Sequence, residues 1–170
     1  MIWAIPKGDI GKKFSNLISK LAEKYNGPVF EPHISVNNFR VVGEEENVLT
    51  KIKELANQTK PFKITLEKTD FFDEIHMCIV VRTKKTPELM AINKNLINLL
   101  DEEIRDYIPH MSLLYGILDN KIKEKILNDI GKTFADEIEV SEIHVFKSPQ
   151  GKIPDIVKYW KKIATFRLNG

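Results

Sequence analysis

Two periodicities of apolar and polar residues alternate along this chain, one typical of helices and one typical of strands. Apolar residues recur at helical spacing in four segments, and short apolar or alternating runs rich in β-branched and aromatic residues lie between them. The predicted helices cover about residues 9–25, 43–60, 87–100 and 121–130. The predicted strands cover about residues 2–5, 33–39, 62–72, 75–82, 110–115, 137–147 and 159–168.

Residues that start or stop helices mark several of these boundaries. Asn26-Gly27-Pro28 follows the first predicted helix, Pro87 lies in the first turn of the third, and Gly131 follows the fourth. Gly43 opens the second helix, whose first turn is acidic, as the positive end of a helix prefers. Asp73-Glu74 separates two strand patterns and predicts a hairpin turn.

The order of elements is similar in the two halves of the chain, each with a strand, a helix and then paired strands. Because the strands come in adjacent pairs, their sheets are expected to be mainly antiparallel. We therefore predict one α+β domain over residues 1–170 with two lobes related by pseudo-twofold symmetry. Two mainly antiparallel sheets would line a central cleft, with the helices outside.

One five-residue unit occurs once in each half. Residues 32–36 read Pro-His-Ile-Ser-Val and residues 109–113 read Pro-His-Met-Ser-Leu, and these units contain two of the four histidines. In a strand, residues two positions apart point to the same face, so each His shares a face with its Ser. If the pseudo-symmetry places the two strands side by side, four polar side chains meet in one cleft.

Composition and charge narrow the class of protein. A hydrophobic content of 42% and a charged content of 29% are typical of a soluble globular domain. The net charge of +2 is too small to indicate duplex binding by electrostatics alone. Residues 2–5 are too short for a signal sequence, and no apolar run has the length of a membrane span. With the single Cys78 in an apolar run, we expect a buried thiol and a cytoplasmic protein with no membrane partner.

Two imidazoles and two hydroxyls, repeated without a carboxylate or thiol, suit the hydrolysis of a phosphodiester. One neutral His can take a proton from water while the other, charged, protonates the leaving oxygen, because the unperturbed pKa of His is about 6.5. The two Ser hydroxyls can donate to the non-bridging oxygens. A strained five-membered cyclic phosphate would be a natural substrate. The two motifs are too alike to distinguish the base from the acid.

Other chemical interpretations of these residues fit the repeated units less well. A metal site is disfavoured because the repeat brings no Cys, Asp or Glu ligand, so we expect neither a metal nor a cofactor. A Ser nucleophile is a further alternative, although a Ser beside its own His suits phosphate binding better. His76 and His144 lie in strand patterns without matching neighbours and are predicted to be structural.

At these residues the chain resembles the two-histidine (2H) phosphoesterase superfamily, whose signature is two His-x-Ser/Thr motifs in a bilobal α+β fold. The plant- and yeast-type cyclic phosphodiesterases are the most similar group. Besides the motifs, the resemblance rests on residues 2–6, 26–33, 86–90 and 109–115 and on Trp160. Ser35 replaces the Thr of many members and retains the hydroxyl, and one Cys cannot form the disulfides of some plant members.

The resemblance implies metal-independent hydrolysis in which His33 and His110 form the acid–base pair and Ser35 and Ser112 hold the phosphate. The implied substrates are a nucleoside 2′,3′-cyclic phosphate, opened to the 2′-phosphate, or ADP-ribose 1″,2″-cyclic phosphate, opened to the 1″-phosphate. The expected partner is thus a small nucleotide, and we expect a monomer.

The resemblance also implies two substrate-binding aromatic residues, Trp3 and Tyr115. Trp3 equally fits a core position of the first strand. Tyr115 follows His110 by five residues and would face away in a regular strand, so a bulge or a strand end near Gly116 is required. Substrate choice is expected to depend on loops, for which the candidates are Lys7, Arg40, Phe72 and residues 148–154.

Two alternative functions stay open at this point. The first is an RNA 2′,3′-cyclic phosphodiesterase of the same fold that acts on RNA ends; however, Asn37-Asn38-Phe39 differs from the Leu-Phe-Leu-Gly-like run of the RNA-processing branch. The second is a non-catalytic module that binds a nucleotide or RNA. Two intact histidines argue against it, because binding alone would not need both.

Overall fold

The computed structural model describes residues 1–39, 44–103, 106–153 and 155–170. Within these residues the chain forms four α-helices, eight β-strands and two short 3₁₀ turns. The helices are α1 (Gly8–Tyr25), α2 (Glu45–Asn57), α3 (Pro87–Leu99) and α4 (Asn120–Ile130). The strands are β1 (Ile2–Ala4), β2 (Ile34–Asn37), β3 (Phe62–Asp70), β4 (Ile79–Thr83), β5 (His110–Leu114), β6 (Glu137–Val140), β7 (Glu142–Lys147) and β8 (Lys161–Arg167).

The strands form one sheet in the order β6-β3-β4-β5-β2-β1-β7-β8, with antiparallel neighbours. β2 and β5, which carry the repeated units, pair in the middle of this order, with Ile34 opposite Met111. Four strands lie on either side of this junction. The predicted α+β class with mainly antiparallel pairing is confirmed, and the two predicted sheets are the halves of one curled sheet, continuous through β2 and β5.

Three of the helices pack against different strands of the sheet. α1 packs against β5, whereas α3 packs against β2 and α2 packs against β8 and α3. On α1 the buried side chains Phe14, Ile18 and Leu21 recur at helical spacing. Burial of each such side chain stabilises the fold by about 1.5–3 kcal/mol, so this stripe fixes α1 against the sheet.

Helix ends lie where the sequence predicts them. Asn26 ends α1 in the left-handed region, with φ of 54°, and its backbone N–H donates to the carbonyl of Ala22. Gly131 ends α4 at a φ of 96°, a conformation that a residue with a Cβ adopts only with strain. The Thr86 hydroxyl accepts a hydrogen bond from the Leu89 backbone and caps α3. Gly43, the predicted start of the second helix, lies outside the described residues.

Three strand predictions differ from the structure. Residues 75–82 are not one strand, because Ile75–Met77 forms a 3₁₀ turn in which the Met77 N–H donates to the Glu74 carbonyl, and β4 begins only afterwards. Residues 137–147 form two strands, since β6 pairs with β3 and β7 pairs with β1 in the other half. The last strand begins at Lys161, after a second 3₁₀ turn at Val157–Tyr159.

Of the helices in the described parts of the chain, none is both long enough and apolar enough to cross a membrane.

Candidate active site

The paired central strands bring the two repeated units together. Because β2 and β5 are antiparallel with Ile34 opposite Met111, the flanking positions place His33 beside Ser112 and Ser35 beside His110. All four side chains line one cavity of about 340 Å³, which we name the central cavity. Its described lining residues are Met1, His33, Ser35, Asn38, His76, His110, Ser112, Tyr115, Ile153 and Trp160.

The two motif histidines are anchored in the same way. His33 Nδ1 lies 2.7 Å from the carbonyl oxygen of Glu31, and His110 Nδ1 lies 2.7 Å from that of Ile108. Since a carbonyl can only accept, Nδ1 carries the hydrogen in each bond. Each ring therefore keeps Nε2 for a substrate: as a proton acceptor when the ring is neutral, and as a donor when it is charged.

Aromatic rings surround His33. Trp3 stacks on it, with ring centroids 3.7 Å apart and an interplanar angle of 15°, and the rings of Phe30 and Trp160 present edges at 6.2 and 6.1 Å. Burial lowers the pKa of His33 to about 4, despite the opposing effect of the hydrogen bond to Glu31. His33 is consequently a neutral proton acceptor at neutral pH.

Charged and polar groups surround His110 instead. Arg82 lies opposite it on β4, and Glu74 and His76 lie nearby in the loop before β4. Burial is the largest cause of a lowered pKa for His110, with further lowering from His76 and Arg82; the bond to the Ile108 carbonyl and the Glu74 carboxylate act in the opposite direction. The pseudo-symmetric motifs thus lie in unlike electrostatic surroundings.

The Ser112 hydroxyl belongs to a short hydrogen-bonded chain. Its Oγ donates to the carbonyl of His76 at 2.7 Å. Burial raises the pKa of Tyr115, and a hydrogen bond with the Ser112 side chain partly offsets this. The strand end that the position of Tyr115 requires is present, because β5 ends at Leu114. Tyr115 therefore lies outside the alternating pattern of the strand, and it lines the cavity.

Trp3 lies behind His33 instead of in the cavity wall. It is 1% exposed and sandwiched between His33 and Phe146, whose ring centroid is 3.9 Å away. On β1 it lies opposite Ser35, which explains why its side chain is on the same face as the motif. Trp3 thus supports the His33 ring from beneath, at the core position that the first strand allows, and its contact with a substrate stays a prediction.

His76 is the residue that the sequence analysis missed. Strand alternation predicted a structural role, but the 3₁₀ turn at Ile75–Met77 places His76 in the wall of the central cavity, about half-exposed. Its Nε2 lies 3.1 Å from a Glu74 carboxylate oxygen. In the sequence, Asp73-Glu74 indicates a turn at this point, but it predicts a hairpin and not the 3₁₀ turn at Ile75–Met77. His144 lies on β7, with Nδ1 3.0 Å from the Thr165 hydroxyl, away from this wall.

Of the described loop residues that are predicted to govern substrate choice, only some lie at the central cavity. Ile153, from the predicted 148–154 loop, lines the central cavity. Lys7 is ion-paired with Glu142 at 2.8 Å, and Phe72 packs against the Arg82 guanidinium, so in the described part of the chain neither belongs to the cavity wall. Arg40 and Pro154 lie outside the described residues. Within the described ranges, no group of three or more His, Cys, Asp or Glu side chains is arranged to hold a metal ion.

Comparison with known families and proteins gives one consistent match. The family model of the 2′-5′ RNA ligase superfamily matches residues 13–152, which include both repeated units. A cyclic phosphodiesterase of Arabidopsis thaliana is 24% identical over 124 residues, which is 72% of this chain and 68% of the relative.

Solved structures of the same fold extend the match to nearly the whole chain. The crystal structure of the Thermus thermophilus protein TT0787 has a TM-score of 0.72 at 16% identity and covers 99% of this chain and 97% of its own. The structure of E. coli LigT complexed with 3′-AMP has a TM-score of 0.64 at 15% identity, covering 99% and 96%. These neighbours show the fold.

Proposed function

Because the chain belongs to the 2′-5′ RNA ligase superfamily of two-histidine phosphoesterases, we propose that it hydrolyses a nucleoside 2′,3′-cyclic phosphate to the 2′-phosphate. The observation that carries the proposal is the pair of identically anchored histidines, each with Nε2 free for the central cavity. The Arabidopsis relative is named a cyclic phosphodiesterase, and LigT has been crystallised with 3′-AMP; both support a nucleotide substrate.

His33 is the general base in this proposal. Its aromatic surroundings lower its pKa to about 4, so Nε2 is unprotonated at neutral pH and can accept a proton from the attacking water. The bond from Nδ1 to the Glu31 carbonyl fixes the tautomer with the lone pair on Nε2 and also stabilises the imidazolium that forms.

His110 is the general acid in this proposal, although burial, His76 and Arg82 lower its pKa in the unliganded protein. The Glu74 carboxylate and the Ile108 carbonyl raise its pKa against the effect of burial. A bound cyclic phosphate adds a negative charge between the rings, which favours the imidazolium further. Protonation of the departing ester oxygen by Nε2 completes the ring opening, and water supplies the hydroxyl that remains on phosphorus.

Ser35 and Ser112 hold the non-bridging oxygens. In the unliganded arrangement the Ser112 hydrogen points to the His76 carbonyl, so it must rotate toward the phosphate when substrate binds. Tyr115 lines the same cavity and its side chain interacts with that of Ser112, so it can help to hold the Ser112 hydroxyl in place. Tyr115 is thereby a positioning residue for phosphate binding.

The test is turnover of 2′,3′-cyclic AMP in excess EDTA by the wild type and by the His33→Ala and His110→Ala variants, with the product isomer identified by chromatography. We expect formation of the 2′-phosphate by the wild type. Each variant should lose at least about 10²-fold in rate, because general acid–base catalysis contributes about 10²–10⁴-fold. Glu23→Gln, on the exposed face of α1, is the control variant.

Three outcomes would contradict the proposal. Loss of turnover in EDTA that returns with a divalent metal would replace the two-histidine mechanism with metal-assisted hydrolysis. Turnover of ADP-ribose 1″,2″-cyclic phosphate or of RNA ends alone would assign a different substrate to the same site. Nucleotide binding without turnover, retained in both His variants, would favour a binding module.

A further inference from the structure

A second cavity adjoins the central cavity. It has a volume of about 390 Å³, which is in the range of pockets that bind small molecules, and we name it the side cavity. Four residues line both cavities: Ser35, Asn38, His76 and His110. A substrate whose phosphate lies between the two motif histidines can therefore extend past His110 and His76 into the side cavity.

His76 is one of the four residues that line both cavities. Its ring is about half-exposed and is held by Glu74, while its own carbonyl accepts the Ser112 hydrogen bond. A ligand that spans both cavities must pass this ring. The position suits contact with the ribose, which lies between the phosphate and the base of a nucleotide.

The wall of the side cavity is rich in hydrogen-bond acceptors. It includes the carboxylates of Glu74 and Asp106. Among the lining residues that the structure describes, none is Lys or Arg. The apolar side chains of Met77 and Ile108 supply flat contact area. Carboxylates accept hydrogen bonds and repel phosphate, so this wall favours an uncharged group with several N–H donors.

A buried amide gives an independent indication of a ligand here. Asn37 is 6% exposed and lines the side cavity, and in the described structure its Oδ1 has no hydrogen-bond partner. A buried unpaired acceptor is costly, and a ligand N–H would satisfy it after a small rotation of the amide. The neighbouring Asn93, whose Nδ2 donates to the Val36 carbonyl, also lines the cavity.

We propose that the side cavity binds the nucleobase of the substrate and prefers bases with several N–H donors on one edge. This inference rests on the proposed function. Guanine presents N1–H and an amino group side by side, which match a carboxylate in a bidentate way, whereas uracil presents one N–H between two carbonyls. We therefore expect the side cavity to bind guanine most tightly and uracil least tightly of the four bases.

The experiment compares kcat and KM for the 2′,3′-cyclic phosphates of guanosine, adenosine, cytidine and uridine, with ribose 2,3-cyclic phosphate as a substrate that lacks the base. We expect kcat/KM for guanosine to exceed that for uridine by about tenfold or more, the discrimination that a two-donor edge typically gives. The difference should lie mainly in KM, because the base is remote from the reacting bond.

Two variants test the residues directly. Glu74→Gln keeps the size of the side chain and removes its charge, and Asn37→Ala removes the unpaired acceptor; each should reduce the guanosine-to-uridine ratio at least about fivefold. Glu23→Gln on α1 should keep the ratio of the wild type. Binding of guanosine and uridine 2′-monophosphates, measured by calorimetry, checks the same preference without turnover and in any variant whose melting temperature is retained.

The outcomes separate the two proposals. Equal kcat/KM for all four nucleotides and the base-free substrate, or a preference for uridine, would overturn the nucleobase subsite and leave the phosphodiesterase function intact. If Glu74→Gln and Asn37→Ala both leave a guanosine preference unchanged, the base binds outside the side cavity. That result would also overturn the nucleobase subsite. Turnover of none of the five compounds would overturn the proposed function and this inference with it.

Discussion

At the scale of single residues, His33 and His110 have the same backbone anchor but different neighbours. His33 is packed by Trp3, Phe30 and Trp160, whereas His110 is surrounded by Arg82, Glu74 and His76. Aromatic rings shift a pKa by desolvation, whereas nearby charges shift it by electrostatic interaction. Two imidazoles in copies of the same motif can therefore have different pKa values. This difference gives a pH dependence that distinguishes the base.

The first prediction at this scale concerns the acidic limb of the pH–rate profile. If His33 is the base, kcat/KM falls as the pH decreases through about 4, because below that value the imidazole of the free enzyme is protonated and cannot accept a proton. Between pH 5 and 6.5 an ordinary His base would already be losing activity, whereas this one should not. NMR titration of the His33 ring checks the assignment, and a limb near 6.5 with a matching ring titration would contradict it.

The second prediction concerns Trp3, which supports His33 from beneath. Trp3→Leu removes the stacked ring, leaves a cavity and admits water, so the free energy of unfolding should decrease by about 3 kcal/mol and the pKa of His33 should increase toward its ordinary value. Urea denaturation and NMR titration measure the two effects. Trp160→Leu is the matched control: Trp160 is only partly buried, and a comparable loss of stability there would contradict the special position of Trp3.

The sequence predicted the motif residues well and the loop residues poorly. Strand alternation correctly placed His33 with Ser35 and His110 with Ser112 on one face, because that periodicity is local. It failed for His76, whose side chain is directed by a 3₁₀ turn. The sequence left both a core position and a substrate contact open for Trp3, whose burial depends on Phe146, far away in sequence. The roles proposed for the site residues stay predictions until the variants are measured.

At the scale of elements, helix α4 is tied to the loop that borders the site. Lys123 is 2% exposed; its Nζ donates to the Phe72 carbonyl at 3.0 Å and to an Asp73 carboxylate oxygen at 2.7 Å. The same loop continues into Glu74 and His76. One buried lysine on a helix outside the cavity thus holds the start of the segment that forms the cavity wall.

The third prediction is that Lys123→Met loosens this loop. Met fills the same space, but the Phe72 carbonyl loses its donor, so the free energy of unfolding should decrease by about 1–3 kcal/mol. KM for the cyclic nucleotide should also rise. Lys121→Met, at an exposed position of the same helix, should change stability by no more than about 0.5 kcal/mol. Equal effects of the two substitutions would show that Lys123 has no special part in holding the loop.

Element boundaries followed the sequence wherever a local signal fixed them. Asn26, Thr86 and Gly131 mark helix ends that depend on backbone conformation and capping, which are properties of a few neighbouring residues. The division of residues 137–147 at Ser141 had no such signal. It follows from β6 and β7 pairing in opposite halves of the sheet, which only the assembled fold determines.

At the scale of the whole molecule, the pattern of strands and helices predicted the α+β class, and the two motifs predicted the family. Both are confirmed, as is the interpretation of the chain as an enzyme of the phosphoesterase type. The single continuous sheet was not predicted, because pairing across the β2–β5 junction rests on contacts between residues far apart in sequence. The cytoplasmic location, the monomeric state and the natural substrate stay predictions.

The fourth prediction is that the two halves unfold together. The sheet is continuous through β2 and β5. Both tryptophans lie in or beside the half formed by β2, β1, β7 and β8, so their fluorescence reports the unfolding of that half. Far-ultraviolet circular dichroism reports the unfolding of all the helices. The two signals should give coincident urea transitions, as expected for a cooperative domain of this size. Separate midpoints for fluorescence and circular dichroism would instead indicate that the halves are independently stable.

The near-equivalence of the two motifs also has a consequence for regiochemistry. A cyclic phosphate has two ester oxygens of similar reactivity, and a perfectly symmetric cleft could not choose which of them departs. In the proposed mechanism the choice falls to side chains outside the motifs, namely the aromatic rings at one histidine and the charged groups at the other. Exchanging those surroundings, with both motifs left intact, is therefore the route by which this fold could come to open the opposite bond.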